Sequence, residues 1–413
     1  MLNPKTNERE LAYIVTIDEI RPIPNYDRVE HARVGGWWVI VKKDQFQVGE
    51  PAIYIEVDSK VPEKEPFMFL EKKHFKVKTQ KMCKVLSQGL LMSAEDFGWT
   101  VVKFEVDDDE NDIYINTANG ILRIGTFLTK ELGITYASEE DNKRKAPSAD
   151  KYKKMAQRRP DIFKKPWARW MMKREWGKKV MFFFYGKAKD KKSGWPSWVK
   201  KTDEERVQNM TWILEDKTPW FATEKIDGTS TTFTMKGYGR KREFYVCSRN
   251  VVFDKPDKNC YYDTNVYTEM AEKYNMEWVL EALMEYFANV TGQDIAFVTV
   301  QGETYGAGIQ KRDYGLTNHD FMAFNVIVGF SDGATQRLNP VEMTDVLTSF
   351  DVPCVPIVDK HFVLPDTVEE LLNIATDKSA IDGGMREGLV FRSADGVQSF
   401  KAVSNEFLLK YHG

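Results

Sequence analysis

A lysine placed between an apolar strand and a tight turn can serve as a nucleophile, provided its amine is first made neutral. Lys225 has that setting, closing the run WFATEK and preceding Ile226, Asp227, Gly228, Thr229 and Ser230. Lysine, a free position and an Asp-Gly pair recur by chance in about one chain in ten of this length at ordinary residue frequencies. The pattern gains force from five further motifs in order: SRN at 248–250, QGETYG at 301–306, FMAFNV at 321–326, REGLVFR at 386–392 and SFKAV at 399–403. They supply Arg249, Glu303, Phe324, Glu387 and Lys401. With an unperturbed pKa near 10.4, a lysine at pH 7 is uncharged about once in 2,500 molecules, so a nucleophilic role needs roughly 4 to 5 kcal/mol of differential stabilisation. Neighbouring cations disfavour the protonated amine, and Arg249, Lys401 and a bound Mg²⁺ are the expected ones. Mg²⁺ keeps several waters and needs only one or two carboxylates, for which Asp227 and Glu387 are the candidates.

The six motifs in this order resemble those of the covalent nucleotidyltransferase superfamily, which includes RNA ligases, DNA ligases and mRNA capping enzymes. The resemblance implies that the Lys225 amine attacks the α-phosphorus of ATP, that pyrophosphate departs in line, and that AMP remains on the lysine as a phosphoramidate. It implies Glu387 in the metal-proximal motif, with Asp227 the other candidate ligand of Mg²⁺ or Mn²⁺. Glu303 falls in the motif that holds the ribose or a metal-bound water, and Arg249 in the one engaging the nucleotide and its phosphate. Phe324 stacks on adenine, the backbone or side chain at Glu224 with Ile226 borders the base, and Lys401 holds the α-phosphate. Taken singly, Phe324 in an apolar strand is equally a core aromatic, and Glu303, Glu387 and Arg249 equally surface strand charges. In one departure, the closing motif often carries a second lysine two residues on. Here Val403 stands in that place, leaving Lys410 as an alternative phosphate contact.

These residues need elements to position them. Between residues 10 and 99 the runs AYIVTIDEI, VGGWWVIVKK, EPAIYIEVDS and KVLSQGLLMS predict short strands, with turn signals at Pro22, Pro24, Asn25, Gly35, Gly36 and Gly49. Five or so strands in about a hundred residues is the size of an OB fold. The acidic stretch DDDENDIYINTANG that follows predicts a hairpin or loop without chemistry of its own. Thr202 followed by Glu205 has the spacing of a capping box and predicts a helix opening a new domain. Beyond it, WFATEKI, STTFTM, EFYVCS, IAFVTVQGE, FMAFNVIV and GLVFRS read as strands, and YTEMAEKYNMEWVLEALMEYFANV reads as helix. The expectation is an α+β protein: an OB-fold β-barrel at residues 1–135, a basic Trp-rich linker or insert at 136–200, and a nucleotidyltransferase domain of ATP-grasp-like antiparallel sheets at 201–413.

Composition sets the outer bounds. The net charge of −3 averages two populations: residues 143–201 hold 21 Lys and Arg against 4 Asp and Glu, leaving 38 against 58 elsewhere. Such asymmetry points to a polyanionic partner, and five tryptophans interleaved with the cations (Trp167, Trp170, Trp176, Trp195, Trp198) are able to stack on bases. A solvated linker with tryptophans packed on a neighbouring domain fits the same composition. Cys83, Cys247, Cys260 and Cys354 show no metal or disulfide spacing and read as free buried thiols. With no secretory signal and no long apolar run, the expected setting is a cytosolic or nuclear-type reducing compartment, away from membranes and not secreted.

The order of the parts discriminates among relatives. Only twelve residues follow Lys401, which leaves no room for the C-terminal barrel of capping enzymes and most DNA ligases. The chain instead resembles RNA ligases with an N-terminal OB module, in IDEIRPIPNYDRVEHARVGGWWVIVKK, VGEPAIYIEVDSKVP, KVLSQGL and TDEERVQN. That implies a monomer joining RNA ends, at nicks in a duplex with an RNA 3′-OH strand. A GTP-using capping-type transferase and a non-catalytic RNA-end-binding protein are the alternatives.

Overall fold

The computed structural model describes residues 9–82, 84–105, 111–136, 160–185, 195–200, 203–249, 251–253 and 265–412. Cys83, Cys260, Thr202 and Asn250, and residues 143–159, 186–194 and 201 of the basic segment, lie outside them. The barrel of the N-terminal part is carried by two three-stranded antiparallel sheets, with a third, Thr100–Glu105, Asn111–Thr117 and Gly120–Arg123, beside them. Of the first two, one orders Ala12–Thr16, Pro51–Ile55 and Leu90–Met92; the other is the meander Glu19–Ile23, Tyr26–Val34 and Trp37–Lys42. The alternating pattern of WWVIVK has its structural counterpart: Trp37, Val39 and Val41 are buried while Trp38 and Ile40 between them are not. The strand Tyr26–Val34 went unread in the sequence, because its polar residues and the preceding Pro22, Pro24 and Asn25 signal a turn. The sheets share a core in which Tyr54 is fully buried, its hydroxyl donating to the Gln88 carbonyl. Of the acidic stretch, residues 107–110 lie outside the described residues, and Asn111–Thr117 pairs antiparallel with Thr100–Glu105.

Of the basic segment, residues 160–185 form three short helices, Pro160–Phe163, Pro166–Met172 and Glu175–Tyr185, around Phe163, Ala168 and Met181. Its tryptophans divide. Trp167, Trp170 and Trp176 are about half exposed, whereas Trp198 packs against Tyr245 and Phe297 and donates to Thr234 Oγ1 at 3.2 Å.

Two antiparallel-rich sheets make up the C-terminal part. A five-stranded sheet orders Glu205–Arg206, Ser399–Val403, Gly388–Ser393, Trp220–Lys225 and Ile357–Phe362. A six-stranded sheet orders Val252–Phe253, Glu243–Ser248, Thr229–Lys236, Ile295–Gly306, His319–Phe330 and Thr335–Arg337. The helices Val266–Lys273, Met276–Thr291 and Pro340–Thr348 bury Met270, Leu280, Leu283 and Met343 against the larger sheet. Helix Val368–Ala375 buries Leu371 and Leu372 against the smaller.

The helix expected at TDEERVQN is absent. Glu205–Arg206 is a two-residue strand parallel to Phe400 and Lys401, followed by 3₁₀ turns at Val207–Asn209 and Thr211–Glu215. Tertiary packing overrides the local signal: Val207 is fully buried in the core of the smaller sheet, and Gln208 and Asn209 are buried under the N-terminal module. Trp37 Nε1 donates to Asn209 Oδ1 at 2.8 Å, and Gly36 lies so close to Gln208 that a Cβ there would stand 2.8 Å from its Cα. A second join clusters Leu86 of the module with Val403 and Leu408.

Candidate active site

The two C-terminal sheets are joined by one short connection, Ile226–Asp227–Gly228, between the end of Trp220–Lys225 and the start of Thr229–Lys236. Lys225 therefore sits where the chain crosses from one sheet to the other. Several contacts fix the crossing. Asp227 N donates to the Tyr314 hydroxyl at 2.7 Å, Gln310 Nε2 donates to Gly228 O at 2.9 Å, and Thr229 Oγ1 lies 2.9 Å from the Tyr267 hydroxyl. Gly228 is required by a close approach, since a Cβ would meet Thr304 O at 2.3 Å.

A cavity of about 330 Å³ opens between the sheets, lined by Lys225, Glu224, Ile226, Arg249, Glu303, Phe324 and Lys401 among others. Its size falls within the range of small-ligand pockets. Lys225 Nζ donates to Glu387 Oε2 at 2.7 Å, and Glu387 immediately precedes the strand that pairs with Trp220–Lys225, Lys225 opposite Gly388. Asp227 is buried one turn on, and Glu303 stands in register with Ser230.

The electrostatics differ from the sequence expectation that cations would strip Lys225 of its proton. Burial alone would lower the ammonium's pKa, but Glu387, Glu303 and Asp227 together raise it above its ordinary value. Arg249 and Lys401 are instead drawn to another group: Arg249 Nη2 donates to Asp203 Oδ2 at 2.7 Å, and Lys401 Nζ lies 3.5 Å from Asp203 Oδ1. Lys401 is held below the ordinary lysine value by burial, then by Arg206, Lys225 and Arg249, against the pull of Asp203. Glu303 is pushed up to about 8 by burial, with Glu387 and Asp227 adding to the effect and Lys225 opposing it.

That excess of buried negative charge is what a divalent cation relieves, so Asp227, Glu303 and Glu387 suit a hard cation. Among the described residues no three carboxylate, histidine or cysteine side chains come close enough to form a metal shell alone. One or two carboxylates completed by water and phosphate oxygens is the arrangement that fits.

Phe324 reaches the cavity through a β-bulge. In the pairing of Ile295–Gly306 with His319–Phe330, Gln301 faces Asn325 and Gly302 faces Ala323, so Phe324 is the extra residue. Its carbonyl accepts from Arg392 Nη1 at 2.5 Å, and its ring packs in the cluster of Ile226, Tyr305, Tyr314 and Val355. Arg392 was quoted in a motif without a role; burial lowers its guanidinium to about 10.

One sequence expectation is narrowed and one corrected. The Glu224 side chain is buried and turned to the loop beyond, accepting from Ser379 Oγ at 2.5 Å and Ala380 N at 2.8 Å, which leaves the strand backbone to border a base. Lys410 does not substitute for a second motif lysine: it is exposed over the Tyr411 ring, and Val403 is buried against the N-terminal module. Sequence reasoning also missed Asp203, Tyr267, Gln310 and Val355 in the cavity wall. Tyr267, Gln310 and Val355 belong to no motif, and Asp203 lies in the run TDEERVQN, expected only to open a helix; the fold brings all four there.

Comparison with known proteins follows the same division. Residues 218–412 match the family described as RNA ligase, and residues 11–94 match one described as an OB-fold domain. Among solved structures, the chain is similar to Naegleria gruberi RNA ligase with PPi, at 26% identity and TM-score 0.63, covering 98% of this chain and 99% of that one. A mutant of that ligase with ATP and Mn matches at 25% identity and TM-score 0.63, over 98% of this chain and 100% of the other. Another mutant, with AMP and Mn, matches at 26% and 0.63 over 98% and 99%. No curated protein sequence matches.

Proposed function

From a chain that belongs to the ATP-dependent RNA ligases of the covalent nucleotidyltransferase superfamily, with an N-terminal OB module and α+β architecture, we propose a nick-sealing reaction carried by Lys225. The observation that carries the reading is Lys225 on the cavity wall, bonded to Glu387, with Arg249, Glu303, Phe324 and Lys401 converging on the same 330 Å³ space.

In the first step the neutral Lys225 amine attacks the α-phosphorus of ATP, a phosphorus–nitrogen bond forms, and the bond to the pyrophosphate oxygen breaks. Asp227 and Glu387, with Glu303 nearby, would hold Mg²⁺ or Mn²⁺. When bound, the metal supplies positive charge that offsets the carboxylates and the phosphate oxygens. Glu387 receives the ammonium's hydrogen bond before reaction and orients the amine. Phe324 stacks on adenine, the strand backbone at Glu224 and Ile226 borders its edge, and Glu303 serves the ribose. Arg249 and Lys401 meet the α-phosphate and its developing charge. AMP then passes to the RNA 5′-phosphate, and the 3′-hydroxyl attacks that activated end, sealing the strand and releasing AMP.

RNA is the substrate class, and a nicked duplex with an RNA 3′-OH strand is the proposed form. The proposed division is residues 1–135 for the OB module, 136–200 for a connecting basic segment and 201–413 for the adenylyltransferase domain. The exposed Trp167, Trp170 and Trp176 among lysines and arginines support a role for that segment in gripping the polynucleotide. No helix among the described residues is long and apolar enough to cross a membrane. The proposed form is a monomer, and the free thiols of Cys247 and Cys354 fit a reducing compartment.

Incubation with α-labelled ATP and Mg²⁺ tests the reading: label should attach to the chain, and Lys225→Ala should abolish it. Label from GTP instead would favour the capping-type alternative, and no label from either would refute the mechanism. Deleting residues 1–130 should spare lysyl-AMP formation while impairing sealing, if the module mainly contacts the strand that supplies the 3′-OH.

A further inference from the structure

Arg249 and Lys401 are the cations assigned above to the nucleotide's phosphate, yet an acidic side chain already stands between them. Asp203 Oδ2 accepts from Arg249 Nη2 at 2.7 Å, and Lys401 Nζ lies 3.5 Å from Oδ1. All three residues line the cavity. Backbone pairing brings Asp203 there: it leads into Glu205–Arg206, which runs parallel to Phe400 and Lys401, and its neighbour Glu204 accepts from Ser399 Oγ at 2.5 Å.

The N-terminal side closes over the same cluster. The Arg9 guanidinium lies 5.1 Å from the centre of the Tyr136 ring, and Tyr136 acts on Arg249 electrostatically. Burial works to raise the Asp203 carboxyl, but Lys401, Arg249 and Arg9 together hold it below the usual carboxylate value. It is therefore a charged anion, set on the two cations and open to the cavity with 41% of its side chain exposed.

We propose that Asp203 is an internal stand-in for the nucleotide's phosphate. Without nucleotide it holds Arg249 and Lys401 at the cavity wall; on binding, the phosphate displaces its carboxylate. Two anions cannot share this pair of cations at contact distance without strong repulsion, so the exchange is competitive. A small anion lacking a base must win that competition with phosphate contacts alone, whereas ATP also gains from the apolar wall around Phe324. The inference rests on the reading of Arg249 and Lys401 as phosphate ligands.

The test measures lysyl-AMP formation from α-labelled ATP and Mg²⁺ in the full chain, with KM and kcat resolved and tripolyphosphate as competing anion. Asp203→Asn removes the charge and keeps the shape. KM for ATP and the inhibition constant of tripolyphosphate should both fall, by roughly three- to tenfold, as expected for loss of a partly exposed ion pair. Asp203→Glu, which keeps the charge, should leave both high. An unchanged or raised KM in Asp203→Asn overturns the proposal, as does an equal rise in the two variants, which would mark a structural role. Should the amide variant fail to fold, Asp203→Ser puts the same question. Arg249→Ala and Lys401→Ala separate the two levels. If neither raises the KM for ATP, the underlying assignment fails; if both do and Asp203→Asn does not lower it, only the stand-in fails.

Discussion

At the scale of single residues, the proposed nucleophile is surrounded by carboxylates and not by the cations expected from sequence. The arrangement has a thermodynamic signature at Glu303, which burial, reinforced by Glu387 and Asp227, pushes up to about 8 from an ordinary 4.5. Between those values the folded chain keeps a proton that the unfolded chain has released, so stability falls as pH rises through that interval. Thermal unfolding without divalent cation should show Tm decreasing from about pH 5 to about pH 8, and Glu303→Gln should remove most of the slope. Equal slopes in the two proteins would contradict the charge cluster. Lys225 does not confound the measurement: its folded pKa lies above the ordinary 10.5, so its contribution is complete below that value and is lost only as pH rises through the raised one. Mg²⁺ should flatten the slope, because a cation among these carboxylates favours their charged forms.

At the scale of elements, the cavity depends on one irregularity in a long strand pair. The bulge at Phe324 turns its ring from the sheet core toward the crossing at Lys225, and Arg392 anchors it through the Phe324 carbonyl. Arg392→Met would leave that carbonyl without its donor, at about 1–3 kcal/mol. Tm should fall, and KM for ATP should rise more than kcat falls, since base positioning is what the anchor serves. An unchanged KM would separate Arg392 from the nucleotide. The same strand pair explains Gly302, where a Cβ would stand 2.3 Å from both Met322 O and the Phe321 ring. Gly302→Ala should therefore lower Tm by forcing the strands apart beside the bulge, and a Tm within error of the parent's would show that the pair yields without cost.

At the scale of the whole molecule, the N-terminal module is fastened beside the cavity through Trp37 on Asn209 and through Leu86 on Val403 and Leu408. Trp37→Phe deletes the indole donor and leaves the buried Asn209 oxygen unpaired, costing about 1–3 kcal/mol. It should reduce sealing of nicked RNA more than lysyl-AMP formation, if the module serves the RNA strand more than the nucleotide; equal losses would argue that it is structural only. The α+β class, six strands of the C-terminal part and the helical stretch from Tyr267 to Val290 were legible in the sequence, because each is a short run whose side-chain period and turn residues act locally; Pro340–Thr348, Ile357–Phe362 and Val368–Ala375 were not. Tyr26–Val34 was not, since its polar residues face solvent and erase the alternation. The capping-box spacing at 202–205 misled for the opposite reason: its local preference yields to burial of Val207 and pairing with Lys401. By itself the sequence determined which chemical groups are present and in what order. Which of them meet was decided only by the folding of the two sheets, where the crossing sets carboxylates around Lys225 and the pairing of Glu205–Arg206 with Lys401 sets Asp203 on Arg249 and Lys401. Electrostatic partnership depends on distance through space, and nothing in the spacing along the chain encodes it.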